Sequence, residues 1–285
     1  VGALLGTATI VLALVAPTLF VDAGATSLLP WLATAAACVM AVLFVVRGRY
    51  AHQPLLDLKL VARPLVSSGL AFKGASGLAI SGMGYLVTLQ LQLDWGWKPA
   101  TAAAGMLPQV VVLIVGGALI GPLIRRVGLD KAAWLGAVTV VCGLAVYGLL
   151  GRCGYVWIAL ALVLVASGMR VVGVVAGTNV MRGLPANRTT IGAAMVDTVG
   201  EVATGVGIAV CGTILAALFT GSIATSSWST DQTTEFREAV TTAGLALTAL
   251  AAALVGWGIA RARRGTDSAA GPIRIMTGAG LRRAS

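Results

Sequence analysis

Two acids, Asp197 and Glu201, stand four residues apart in an otherwise apolar stretch, GAAMVDTVGEVATGVGIAVCGTIL at 192–215. On a helix that spacing places both carboxylates on one face, roughly 6 Å apart at Cβ. The stretch is long enough to cross a bilayer, where an ionisable side chain near the middle costs about 2.5–3.5 kcal/mol on insertion scales. Two acids kept there point to proton coupling or to recognition of a cationic substrate. The competing reading is a structural ion pair with Arg170, which lies on the preceding apolar run. If 160–181 descends and 190–215 returns, Arg170 and Glu201 both lie about 17–19 Å from the connecting loop at 1.5 Å per residue. Arg170 is therefore expected as the charge partner of the acids.

Other polar side chains inside apolar runs are candidate cavity-lining groups: Lys73, Gln90, Gln92 and Asn179. Lys73 lies about two turns from the cytoplasmic edge, so its ammonium can also snorkel to water. Gln90 and Gln92 lie near an outer helix end, where a helix–helix hydrogen bond competes with a substrate contact. No Ser/His/Asp or Cys/His set can be assembled, so no enzyme is expected. His52 is the only histidine, and Cys38, Cys142, Cys153 and Cys211 have no metal-ligand spacing. No metal site and no cofactor are expected; three of the cysteines lie in apolar runs and read as small buried hydrophobes.

The elements that must position these groups follow from composition. Hydrophobic residues make up 58% of the 285 residues and charged residues 11%, with a mean hydropathy of +0.94. Such a chain is not an ordinary soluble domain. Its net charge of +10 does not imply nucleic acid, because the bases fall between apolar runs, as membrane topology requires. Eight segments of spanning length can be read, near 1–20, 29–46, 66–93, 101–124, 132–150, 155–181, 190–219 and 239–260. Loops after the even-numbered segments and the tail hold fifteen Lys and Arg; the opposite loops hold only Lys98, Arg152 and Arg237. That asymmetry predicts both ends on the cytoplasmic side of the plasma (inner) membrane. Trp95, Trp97 and Tyr155 fit outer interfacial positions. The loop at 221–238 reads as a short surface helix ahead of the last span.

Three regions follow: a transmembrane hairpin with a linker at 1–64, a six-helix bundle at 65–262, and a disordered basic tail at 263–285 that touches anionic lipid. Within the bundle the spans form two sets of three. Each set runs from a span with several polar groups to one with none, and the sets enter from opposite sides, as inverted repeats do. Glycines on the third and seventh segments read as close helix packing rather than ligand loops. Val1 and the lack of a basic leader read as a point inside a longer protein.

Four stretches carry a resemblance. They are QPLLDLKLVARPLVSSGL at 53–70, LQLDWGWKP with the later Pro108, GPLIRRVGLDK at 121–131, and GLPANRTTIGAAMVDTVGEVATGVGIAV at 183–210. In this order they resemble the major facilitator superfamily, and within it the fourteen-span drug:proton antiporters. The resemblance implies an all-α polytopic membrane protein of eight transmembrane helices: the carboxy-terminal six-helix bundle plus the extra central hairpin. It implies proton-coupled efflux of small hydrophobic or cationic compounds, powered by the proton gradient. The lipid bilayer, a small-molecule substrate and a missing amino-terminal six-helix bundle are the implied partners. Gly121, Arg125, Arg126, Gly128 and Lys131 fall on the family's cytoplasmic loop motif, but Arg125 stands where that motif has an acid. In the penultimate span Val196 and Gly200 replace an Asn and an Arg, and Arg170 reads as the relocated base. A transporter of one metabolite on the same fold, and a truncated remnant that does not transport, are the alternatives.

Overall fold

The computed structural model describes residues 2–23, 27–50, 58–185, 189–221 and 228–269. No strand occurs among them, and the chain is an all-α membrane protein. The helices are α1 (Gly2–Ala23), α2 (Leu28–Tyr50), α3 (Leu58–Val61), α4 (Pro64–Leu89), α5 (Pro99–Gly105), α6 (Leu107–Val127), α7 (Leu129–Leu150), α8 (Tyr155–Gly183), α9 (Thr189–Leu218) and α10 (Thr230–Ala269). Among the described residues six segments are long and apolar enough to cross a membrane, at 64–94, 99–118, 129–153, 155–183, 189–218 and 230–264. They correspond to the third through eighth segments read from the sequence. The first two segments are α1 and α2, which pair with each other, and α1 also rests on α9.

Several boundaries differ from the sequence reading, each for a local reason. The fourth segment is broken at Met106 into α5 and α6, because Pro108 opens the second piece and has no N–H to continue the first. The surface helix expected before the last span is the start of α10 itself, which runs unbroken for 40 residues. Ser229 and Gln232 cap it reciprocally: Gln232 N donates to Ser229 Oγ at 3.2 Å and Ser229 N to Gln232 Oε1 at 3.0 Å. This is an S-x-x-Q capping box, and no breaker follows it. Residues 263–269 of the expected disordered tail are helical, and 270–285 lie outside the described residues. Of the cysteines read as buried, only Cys211 is; Cys38 and Cys142 are exposed on helix sides.

Helix α4 is the axis of the bundle, packed against α8, α9 and α10. Lipid tails are as apolar as leucine, so membrane helices associate through close backbone approach, which small residues permit. A Cβ built on Gly69 would fall 2.5 Å from the Ala176 carbonyl of α8, and one on Gly77 would fall 2.6 Å from the Gly200 carbonyl of α9. Gly136 and Gly168 bring α7 against α8 in the same way. Ser81 Oγ, bonded to its own helix at Gly77 O, also reaches Thr204 O of α9 at 2.9 Å. At one end of the bundle the helices are tied by Arg261, whose Nε donates to Ser67 Oγ at 2.9 Å, and by Arg63, whose Nη1 donates to Gly183 O at 3.0 Å. At the opposite end Trp97 packs between Trp95 and Tyr155, at 5.9 and 5.3 Å between ring centroids.

Candidate functional site

The acids lie on an uncovered helix face. Along α9 the exposed positions include Thr190, Ala194, Asp197, Thr198 and Glu201, spaced three and four apart and so on one stripe. Away from this stripe lie Gly192, Met195, Gly200 and Gly207, all buried. The sequence produces this division by placing small residues where α4 approaches and polar ones away from it. Neither carboxylate has a hydrogen bond or ion pair within the described residues. At this depth an open face with two carboxylates does not suit lipid tails, and it fits a water-filled cavity or a facing bundle.

Lys73 of α4 packs on the buried side of the α9 turn that carries the acids. A Cβ on Gly200 would lie 2.5 Å from Lys73 Cε and 3.4 Å from Nζ, so the lysine stem occupies the space glycine leaves. Gly200 sits between Asp197 and Glu201 in sequence. The ammonium therefore lies beside Gly200 and makes no ion pair with Asp197 or Glu201 at 4 Å or less. The signal was present in the sequence as a glycine between two acids, a place where a neighbouring helix can lay a long side chain.

Arg170 is not the charge partner of these acids in the structure. Helices α8 and α9 are consecutive in the bundle but scarcely touch, because α4 packs against both. Arg170 instead faces α6: its Cγ lies 3.7 Å from where Gly116 would carry a Cβ. It lines an apolar cleft of about 320 Å³ with Val111, Val115, Ile120, Leu123 and Ser167. Its Nε is buried and without a hydrogen-bond partner. Matching depth on consecutive spans does not make them neighbours.

Two of the candidate cavity residues are helix–helix ties. Gln90 is buried; its Nε2 donates to Gly151 O at 3.1 Å, and its Oε1 accepts from Tyr147 Oη at 3.0 Å. Both ends of its amide are engaged, and it lines only a small cavity beside Asp94, Tyr147 and Arg237. Asn179 Nδ2 donates to Ser68 Oγ at 3.3 Å, joining α8 to α4. Gln92 is half-exposed within a π-turn at 90–94 that ends α4. In and beside the connection from α6 to α7, expected from the sequence to be the cytoplasmic loop, Gly121, Arg125, Arg126 and Lys131 are exposed. Gly128 alone connects α6 to α7 with φ +85°, a left-handed conformation that favours glycine. Arg125 and Arg126 fall in the last turn of α6 and Asp130 in the first turn of α7, each with the sign its helix end favours.

The sequence reading missed Asp94. The π-turn inserts a residue into the helical ladder, with Trp95 N donating to Gln90 O at 3.1 Å, and brings Asp94 toward α10. There Arg237 Nε meets Asp94 Oδ1 at 2.9 Å; the aspartate side chain is 1% exposed and the arginine 50%. Asp94 Oδ2 is buried without a partner. Arg237→Ala is expected to destabilise the protein by about 1–3 kcal/mol, since it leaves a buried carboxylate with no donor. Pairing it with Asp94→Asn should recover most of that loss, read as the thermal midpoint in detergent. A neutral Arg237→Ala would show that the pair contributes nothing.

Comparison with known proteins follows this geometry. No family model matches the sequence. The chain is 28% identical over 248 residues to the multidrug efflux pump LfrA of Mycolicibacterium smegmatis, covering 86% of this chain and 49% of that protein. It is 27% identical over 174 residues to the methyl viologen resistance protein SmvA of Salmonella typhimurium, covering 60% and 35%. A 125-residue match at 31% identity, covering 41% and 22%, is to the probable actinorhodin transporter of Streptomyces coelicolor. The chain thus spans about half, or less, of the length of these relatives.

Proposed function

We propose that the chain is the carboxy-terminal membrane part of a major facilitator superfamily efflux transporter, of the fourteen-span drug:proton antiporter type. It exports small hydrophobic or cationic compounds across the plasma membrane in exchange for protons, working against an amino-terminal bundle. The observation that carries this reading is the pair of unpartnered carboxylates, Asp197 and Glu201, on the open face of α9. A carboxylate on such a face attracts a cation or a proton, and binding of one displaces the other, which is the requirement of antiport. Lys73 of α4, packed against Gly200 of the same turn, adds a positive charge behind the site that weakens its hold on a cation. The relatives named for multidrug efflux and for methyl viologen resistance support a cationic or amphipathic cargo. The spans are joined on one side by the basic loop at 125–131, in keeping with a cytoplasmic placement of that side.

The test is transport by the complete protein in inverted membrane vesicles. An organic cation such as methyl viologen should accumulate in the lumen when the lumen is acidified, and leave when a protonophore collapses the gradient. Accumulation indifferent to the protonophore would refute proton coupling. No accumulation of any cationic or hydrophobic compound would refute efflux itself.

A further inference from the structure

A second cavity lies away from the acid face, at the cytoplasmic end of the bundle. It has a volume of about 520 Å³; α4 and α8 contribute Phe72, Val175 and Asn179, α7 contributes Lys131 and Trp134, and α10 contributes Arg263. Its chemistry is graded. Phe72 and Val175 are each 1% exposed and make an apolar floor. Trp134 is 52% exposed at the start of α7, the amphipathic ring suited to the membrane–water boundary. Lys131 and Arg263 are exposed at the rim. The one acid there, Asp130, belongs to the first turn of α7, where it complements the helix end. Asn179, 6% exposed, places a polar side chain in the wall; among the described residues its one hydrogen bond is that to Ser68.

We infer that this cleft is a binding site for an anionic phospholipid of the cytoplasmic leaflet. The two bases receive the phosphate, the Asn179 amide meets the glycerol or ester region, and an acyl chain lies on Trp134 and the apolar floor. Charge complementarity with a net basic rim selects an anionic headgroup over a zwitterionic one. Apolar walls beside the basic rim select a lipid over a soluble anion. The site is separate from the acid face of α9, so it stands or falls independently of the transport reading.

Native mass spectrometry of the protein in mild detergent, with phosphatidylglycerol or phosphatidylcholine added, tests the site. Phosphatidylglycerol should be retained over phosphatidylcholine by about tenfold or more, the size expected for two basic contacts near the surface. Lys131→Gln with Arg263→Gln should remove that preference. Arg125→Gln with Arg126→Gln, which takes the same charge from outside the cleft, should leave most of it. Ala262→Trp narrows the cleft with no change of charge and should also lower retention. Equal retention of the two lipids, equal loss in both arginine-containing pairs, or unchanged retention in Ala262→Trp would overturn the inference. Displacement by inorganic phosphate as effective as by added lipid would assign the site to a soluble anion instead, and so would also overturn it.

Discussion

Glu201→Gln in the complete protein is expected to abolish uphill, proton-driven export while leaving the protein folded. An amide and a protonated acid are close in shape, so substrate binding and downhill exchange persist in part. Glu201 is exposed on the open face of α9 and has no hydrogen-bond or ion-pair partner among the described residues. The stability change is therefore expected to stay within about 0.5 kcal/mol, the usual range for surface positions. An ion pair with Arg170 would give a different result: removal of its acid would leave a buried guanidinium and cost about 3–5 kcal/mol. The combination with Arg170→Met separates the two. The guanidinium already lies in an apolar cleft with an unpartnered Nε, so Arg170→Met should be neutral or stabilising. Its stability effect should add to that of Glu201→Gln within about 0.3–0.5 kcal/mol, as for sites that do not touch. Coupling well above that range would restore the ion pair. Asp197→Asn should reduce uphill export as well, and the two changes together should eliminate it.

The second large effect is expected at the crossing of α4 and α9. Gly77→Leu places a side chain where even a Cβ lies 2.6 Å from the Gly200 carbonyl and 3.2 Å from Ala203 Cβ. Backbone cannot yield as a flexible side chain does, so the helices must separate. A loss of at least about 1–3 kcal/mol is expected from overpacking alone, with low yield of folded protein. Gly173 and Gly177 of α8 provide the contrast, since a Cβ there meets nothing within 4 Å. Gly173→Ala and Gly177→Ala should be tolerated, or stabilising by up to about 0.5–1 kcal/mol through the helix preference for alanine. Thermal midpoints of the three variants in one detergent decide the matter. Comparable destabilisation at Gly77 and Gly177 would contradict the assignment of one glycine to packing and the other to an open face.

Much of the fold was legible because spanning length and loop charge are set by the bilayer itself. The six helices of the bundle fall close to the apolar runs that predict them. Finer features depended on weaker local signals. The break at Met106 was announced by Pro108, and the long α10 by the capping residues Ser229 and Gln232. The acids of α9 were legible as a pair, since spacing alone fixes a shared face. Their surroundings were not, because depth along a span says nothing about which helices are neighbours. Arg170 matched Glu201 in depth, yet α4 packs against both their helices and lays Lys73 on Gly200 of the turn between the acids. The tie between Asp94 and Arg237 was also hidden: it depends on a π-turn, which has no marked sequence signature.

The most direct measurement is proton release when a cationic substrate is added to the purified complete protein in weakly buffered detergent solution. Binding of the cation at the α9 acids should displace protons and acidify the medium, and Asp197→Asn with Glu201→Gln should abolish that release while the protein remains folded. Undiminished substrate-dependent proton release in this double variant would contradict the assignment of coupling to Asp197 and Glu201.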